Sequence, residues 1–344
     1  MTTKEKILSY ISAQPELSSL EIFEGAGVDV SYATVRRELN KLVSENLIII
    51  TGNRKSSKYS ISPIYALLQR IDIDTYFEKD IDDRKIVEGY NFSLIKTLER
   101  APSIYTNNEV EKLEALQLRF SKNFSKLTNN ARKNEMDRLG IDLSWKSSQI
   151  EGNTYSLLET ERLLKEKETA KGKTKDEAIM LLNHKDALDF ILDNPDYLTE
   201  LTVAKLENIH SILIKELNVD RNIRTRRVGI TGTNYRPLDN EFQIREALEA
   251  SCAMVNSKEN IFEKAILIIL AISYIQPFND GNKRTARIVS NAILIANNYC
   301  PVSFRSVDSI DYKKAMLVFY EQNNIYAFKR IFINQFEFAV NTYF

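Results

Sequence analysis

The residues of this chain best suited to chemistry lie in one run, Ile275-Gln276-Pro277-Phe278-Asn279-Asp280-Gly281-Asn282-Lys283-Arg284-Thr285-Ala286-Arg287. Pro277 and Asp280-Gly281 are turn formers, and a helix opening after them presents backbone N–H groups that have no partner inside the helix. With the positive end of the helix dipole, those donors make an anion site. Asp280 can hold Mg²⁺ through a carboxylate oxygen, since that ion takes carboxylate, water and phosphate ligands. Asn282 can hydrogen-bond a phosphate oxygen. Arg284 and Arg287, three apart on one helical face, can fork onto phosphates or a carboxylate. Lys283 adds an ammonium that binds phosphate as a point charge. The spacing therefore predicts a Mg²⁺-assisted phosphate cradle. The competing reading is a plain solvated turn, because Asn-Asp-Gly-Asn turns any chain and basic residues are common near helix starts.

The elements that must position this run are helices. An almost wholly apolar stretch from Ala265 to Ile275 leads into it, and a mostly apolar stretch from Thr285 to Ala296 follows, so the run reads as a polar turn between two buried helices. The turn resembles the signature of the Fic family, His-Pro-Phe-x-Asp/Glu-Gly-Asn-Gly-Arg-x-x-Arg, and matches it at Pro277, Phe278, Asp280, Gly281, Asn282, Arg284 and Arg287. The resemblance implies a helical domain that uses ATP and Mg²⁺ to transfer AMP to a hydroxyl of a target protein. Two positions depart from it. Gln276 stands where the family has the histidine that takes the proton from the attacking hydroxyl, and a glutamine amide cannot accept a proton near neutral pH. General-base catalysis contributes about 10²–10⁴-fold, so AMP transfer is expected to be crippled. Lys283 replaces the second glycine. The resulting Asn-Lys-Arg ending resembles the Doc branch, which phosphorylates its target with ATP in a reversed pose, and this leaves the reaction type open.

Two further stretches carry the resemblance. Ser147-Ser148-Gln149-Ile150-Glu151-Gly152 stands where a helical pattern stops at a glycine, with Ser147 and Glu151 one turn apart and Gly152 as the cap residue. It is similar to the Fic inhibitory motif, Ser/Thr-x-x-x-Glu-Gly/Asn, which implies that Glu151 pairs with Arg287 and competes with the γ-phosphate for one guanidinium. Taken alone, the stretch also reads as an ordinary helix end. Val228-Gly229-Ile230-Thr231-Gly232 alternates apolar residues into a glycine-containing turn, which predicts a short β-hairpin. It resembles the Fic flap, which registers the target segment by strand addition.

Lys and Arg total 47, as do Asp and Glu, which excludes a globally polycationic nucleic-acid binder but not a local basic face. No apolar run approaches the ~18 residues needed to span a bilayer. The opening Met1-Thr2-Thr3-Lys4-Glu5-Lys6 lacks a signal-peptide pattern, so a cytoplasmic protein is expected. The only cysteines, Cys252 and Cys300, sit among apolar residues and read as buried thiols. The only histidines, His184 and His210, lie in helical patterns and read as core residues, too few for a normal zinc site.

Residues 1–62 read as a winged helix-turn-helix. Ile7, Leu8 and Ile11 mark a first helix, Ser18-Ser19 caps a second, and Ser31 caps a third with Val35, Leu39 and Leu42 inward. Two short strands then flank the turn 52–57. In that plan the third helix enters the major groove, with Thr34, Arg36 and Arg37 as base-edge and phosphate candidates and Arg54, Lys55 and Lys58 as wing contacts. Eight basic and seven acidic residues give this module a net charge of about +1 (8 − 7), so DNA affinity would rest on one face. Protein interaction is the other use of such a module.

Residues 63–89 read as an acidic linker, with helical spacing resuming near residue 84 through Ile86, Val87, Tyr90, Leu94, Ile95 and Leu98. Residues 90–344 read as the large domain, with an inhibitory helix near 144–152. Its aromatic tail, Tyr312 to Tyr343, closes the core or forms a dimer face. The expected architecture is mainly α: a Fic-type helical domain with a small β-hairpin flap, preceded by the winged helix. The expected function is ATP-dependent AMP transfer to a target protein, held down by Glu151 and weakened at Gln276. The alternatives are a Doc-like phosphotransferase and a catalytically inactive DNA-binding regulator that uses the Fic-like body as a nucleotide sensor or dimerisation surface.

Overall fold

A computed structural model describes residues 1–52 and 56–344. The chain divides into two compact units, one formed by Met1–Arg70 with Arg100–Glu111, the other by Ile71–Glu99 with Lys112–Phe344.

In the first unit, three helices follow from their caps. Thr2 and Glu5 form a capping box on α1 (Thr3–Ala13), Ser18 and Glu21 form another on α2 (Ser19–Gly25), and Ser31 accepts from the Thr34 N–H to start α3 (Tyr32–Ser44). Their apolar faces bury Ile7, Ile11, Ile22, Val35, Leu39 and Leu42. Strands β1 (Ile48–Thr51) and β2 (Lys58–Ile61) pair antiparallel, from Ile48 opposite Ile61 to Thr51 opposite Lys58, and the short helix α4 (Tyr65–Leu68) follows.

The second unit opens with α5 (Ile73–Phe77) and a 3-10 turn at Ile81–Asp83. The helical spacing expected from residue 84 is realised only from Leu94, in α6 (Leu94–Arg100). Residues 84–91 run without helix because their backbone is bonded elsewhere. The Val87 N–H donates to the Glu321 carbonyl at 2.8 Å, and the Glu88 carbonyl accepts from the Arg236 N–H at 2.6 Å. Backbone groups must be paired somewhere, and here tertiary partners replace the helical ones.

Helices α7 (Asn107–Lys126), α8 (Asn129–Ile150), α9 (Leu157–Glu166), α10 (Lys175–Asp193), α11 (Val203–Leu213) and α12 (Glu241–Ser257) come next. They lead to the pair at the centre, α13 (Ile261–Ile275) and α14 (Asn282–Ala296), and the chain ends in α15 (Ser309–Gln322) and α16 (Tyr326–Tyr343). Helix α13 is buried on every side from Ala265 to Ile275, as an apolar circumference requires. Helix α14 packs on α13 and also touches α8, α10 and α11. The tail aromatics Tyr312, Phe319, Phe328, Phe332 and Phe336 are buried and close this core. No described helix is long and apolar enough to cross a membrane.

Candidate functional site

The turn between α13 and α14 is held by its own side chains. Gln276 ends α13 in the left-handed region, at φ 51° and ψ 60°, and its side-chain amide donates to the Ser273 carbonyl at 2.6 Å. Asn282 closes the loop. Its Oδ1 accepts from the Phe278 N–H at 2.8 Å, and its Nδ2 donates to the Phe278 carbonyl at 2.7 Å. Its Oδ1 and one of its two Nδ2 N–H bonds are thus engaged inside the turn. The Phe278 ring stacks on His210 with centroids 3.7 Å apart, and His210 Nδ1 lies 3.3 Å from Thr285 Oγ1. Burial pushes the His210 imidazole down to about 4, so it is neutral at physiological pH. His184 is fully buried, and burial, with Arg287 and Arg284 nearby, holds its pKa well below the ordinary value. Both histidines are core residues.

Gly281, at φ 79°, leads into α14 and supplies no side-chain cap. A β-carbon there would come 3.2 Å from His210 and 3.3 Å from Ile214, so both conformation and space favour glycine. No side chain caps the first N–H groups of α14, which leaves them open to an anion. Next come two buried guanidinium groups one turn apart. Arg284, 1% exposed, donates through Nη2 to Asp280 Oδ2 at 2.8 Å, whereas its Nε and Nη1 have no hydrogen-bond partner among the described residues. Arg287, 0% exposed, donates through Nε to Ser147 Oγ and through Nη2 to the Ser147 carbonyl, both at 2.8 Å, and Nη2 also reaches Glu151 Oε1 at 3.1 Å.

Glu151 follows the last residue of α8, with Gly152 at φ 101° turning the chain away. Its other oxygen meets Lys283 Nζ at 3.3 Å. Lys283, which sequence reasoning assigned to phosphate, is thus paired with the carboxylate. Burial raises the Glu151 carboxyl, but Arg287 and then Lys283 outweigh it and hold the group below the ordinary glutamate value. Glu151 is therefore ionised and doubly latched.

A cavity of about 350 Å³ lies over this latch, lined among others by Glu151, Gln276, Lys283, Tyr312, Met316 and the 229–231 segment. Val228–Gly232 lies beside it, but the expected hairpin is not formed. The segment turns at Thr231-Gly232 without paired strands, and the bridge that follows it, beyond the segment, joins Arg236 to Gly89. Gly229 and Gly232 weaken strand pairing, and tertiary bonds hold the segment instead.

Arg224 was missed by sequence reasoning. Buried at 1% exposure, its N–H donates to the Pro277 carbonyl at 2.9 Å, its Nε to the Gln276 carbonyl at 2.6 Å, and its Nη2 to the Leu238 carbonyl, tying the α13–α14 turn to both ends of the flap segment. Nothing local marks it, since Arg226 and Arg227 read identically and are exposed.

The residues fit a bound triphosphate: uncapped helix N–H groups and two nitrogens of a buried guanidinium without partners among the described residues suit an anion. For Mg²⁺ the donor is Asp280, whose side chain is 61% exposed and has Oδ2 on Arg284. One carboxylate is enough for an ion that otherwise takes phosphate and water. In the first unit, Arg36 and Arg37 are exposed on α3 and Thr34 is half-buried, donating or accepting with Ser31 and receiving Arg37 Nη2 at 3.3 Å. Lys58 is bonded to Glu21 at 3.0 Å, while Arg54 and Lys55 lie outside the described residues.

The Fic/DOC family model matches residues 200–294, which span α11 to α14 and include the turn. A protein adenylyltransferase Fic from Nematostella vectensis is 29% identical over 171 residues, 48% of this chain and 40% of the relative. One of the same name from Aedes aegypti is 27% identical over 184 residues, 51% of this chain and 36% of the relative. The chain thus matches well under half the length of these curated relatives. Among solved structures, Fic-1 (residues 134–508) from C. elegans superposes with a TM-score of 0.60 at 20% identity, covering 73% of this chain and 80% of that one. A Fic-domain signalling protein from Bacteroides thetaiotaomicron gives 0.57 at 19% identity, covering 67% and 94%. These likenesses show the fold: the chain is mainly α and carries the Fic arrangement of helices.

Proposed function

We propose that the second unit seats ATP in the cavity between Glu151, Gln276 and the flap segment, and is a Fic-type protein adenylyltransferase whose transfer step is held down at two places. The observation that carries this is the contrast on α14: Arg287 is engaged through Nε and Nη2 by Ser147 and Glu151, with only Nη1 left over, while Arg284 beside it keeps two buried nitrogens, Nε and Nη1, without a partner among the described residues. One guanidinium awaits phosphate and the other is blocked by a carboxylate. In the reaction, a target hydroxyl oxygen attacks the α-phosphorus, the bond to pyrophosphate breaks, and the hydroxyl proton must leave. Gln276 cannot take that proton, and its amide N–H already serves the Ser273 carbonyl. Asp280 would hold Mg²⁺, which supplies neutralisation of polyphosphate charge when bound.

The names of the curated relatives support AMP transfer as the reaction class. Calorimetric titration of Mg·ATP into the parent and Glu151→Gly proteins tests the seat, with tighter binding expected for Glu151→Gly. No binding by either protein sinks the proposal. With ATP labelled at the α- or γ-position, Gln276→His in the Glu151→Gly background is expected to raise transfer of the α-label by about 10²–10⁴-fold. Transfer of the γ-label alone would instead assign a Doc-like phosphotransferase.

A second reading is supported by the missing base together with the exposed Arg36 and Arg37 on α3. Here the first unit is a winged helix that binds DNA, and the second senses ATP without turnover. DNA retardation that weakens steeply with salt and is lost in Arg36→Ala/Arg37→Ala supports it, and indifference to both substitutions removes it.

A further inference from the structure

The flap segment has no strand pairing of its own, so something else must set its height over the cavity. Its base is fixed by Tyr235, whose hydroxyl donates to the Tyr274 carbonyl at 3.0 Å and whose ring stacks on Tyr274 with centroids 4.7 Å apart. Its tip is held from a stretch outside the matched family segment. Arg84, 9% exposed, donates through Nη2 to the Gly232 carbonyl at 2.8 Å. The same guanidinium lies 3.6 Å from Glu321, a fully buried carboxylate at the end of α15, and sits over the Phe77 ring at 5.0 Å. Glu321 also accepts from the Tyr76 hydroxyl at 2.6 Å. Asn234, two residues beyond Gly232, donates to Asp82 at 2.9 Å.

Helix α15 also supplies Tyr312, Met316, Leu317 and Tyr320 to the cavity wall. Gly232 presses on it, since a β-carbon there would come 3.2 Å from Leu317. A buried charge needs its partner, and breaking such a pair from one side leaves the other uncompensated. We infer that Arg84 is a positioning residue for the flap, bridging the Gly232 carbonyl to Glu321 so that the 229–231 segment stands at a fixed distance over the cavity. Residues 71–91 are then part of the site, as a strap that holds its roof.

The inference rests on the nucleotide seat only in its second measurement. The first follows hydrogen exchange of peptides covering 226–238 in nucleotide-free protein. Arg84→Ala is expected to speed exchange there by about tenfold while peptides of α13 and α14 keep their protection, and Arg84→Lys, which keeps charge and a donor, is expected to recover part of it. Should Arg84→Ala fail to fold, Arg84→Met/Glu321→Gln removes both charges together and carries the same expectation. Unchanged flap exchange, or equal loss of protection throughout the unit, overturns the inference. The second measurement titrates Mg·ATP into Glu151→Gly with and without Arg84→Ala. Binding about tenfold weaker is expected when the roof is released, and equal affinity overturns the role over the cavity. If Glu151→Gly itself binds no ATP, the proposed seat falls while the exchange result still decides the anchor.

Discussion

The α13–α14 turn and the flap segment face the same cavity, and they are held by opposite means. The turn is closed by side chains near in sequence, Asn282 on Phe278, Gln276 on Ser273 and Asp280 on Arg284, with Arg224 and His210 the remote residues that brace it. The flap is held from far away, at its tip by Arg84 and Asp82 and at its base by Tyr274. Arg224, reaching from the flap's start to the turn, is the one residue common to both. A turn closed by its own side chains presents the same donors whatever surrounds it. A segment held by remote residues can be released without unfolding what lies beneath.

The strongest way to break this comparison is to strip the turn of its anion donor. In the Glu151→Gly background, Arg284→Ala should weaken Mg·ATP binding by about 100-fold, roughly 3 kcal/mol, because two charge-assisted hydrogen bonds are lost. Calorimetry reads it directly. If affinity survives, the unpartnered N–H groups of Arg284 do not meet phosphate, and the turn is only a brace.

Asn282→Ala comes next. Both backbone groups of Phe278 that it serves are buried, and leaving them unpaired should cost about 2–3 kcal/mol of stability in a urea titration. Arg84→Ala should move flap exchange far more than global stability. Reversal of that order, with a silent Asn282→Ala, would show that the turn is not self-fastened.

The same contrast explains what could be read from the sequence. The turn was legible because its residue types and most of its fastenings share one stretch, so Pro277, Asp280, Gly281 and Arg284 already specify a polar turn between two buried helices. The clasp made by Asn282 was not, since an amide in a polar turn does not say which backbone groups it will meet, and only the approach to Phe278 in three dimensions shows it. The flap was misread as a hairpin from the alternation of Val228 and Ile230, because alternation reports extended backbone and not its partners. Residues 84–91 were misread as helix for the related reason that apolar spacing does not report where the backbone is bonded, and here it is bonded to Glu321 and Arg236. Arg84, Arg224 and Glu321 carry no local signal, being ordinary charged residues whose burial is imposed from elsewhere.

A smaller effect separates the two tasks open to Lys283. Its pairing with Glu151 is partly exposed, at 23% and 21% of the side chains, and is worth no more than about 1 kcal/mol. Lys283→Gly should loosen the latch and raise ATP affinity of the otherwise unaltered protein by about two- to fivefold. A fall in affinity would place the ammonium on phosphate and leave Arg287 as the sole partner of Glu151 in the competition.

The smallest expected effect is the absence of one across the physiological range. Glu151 is held below its ordinary value of 4.5, so the stability it contributes is fully present above that value and is lost as pH falls through the lower, folded one. His210, pushed down to about 4, and His184, held well below 6.5, stay neutral over the same range, so neither adds charge beside Arg284 and Arg287. The melting-temperature difference between parent and Glu151→Gln should therefore be constant from about pH 5.5 to 8 and shrink only in stronger acid. A difference that changes between pH 6 and 7 would mean that a histidine titrates against the latch. The stacked His210 would then be coupled to the carboxylate through Phe278 and the turn, and the self-fastened turn would become a sensor of pH in its own right.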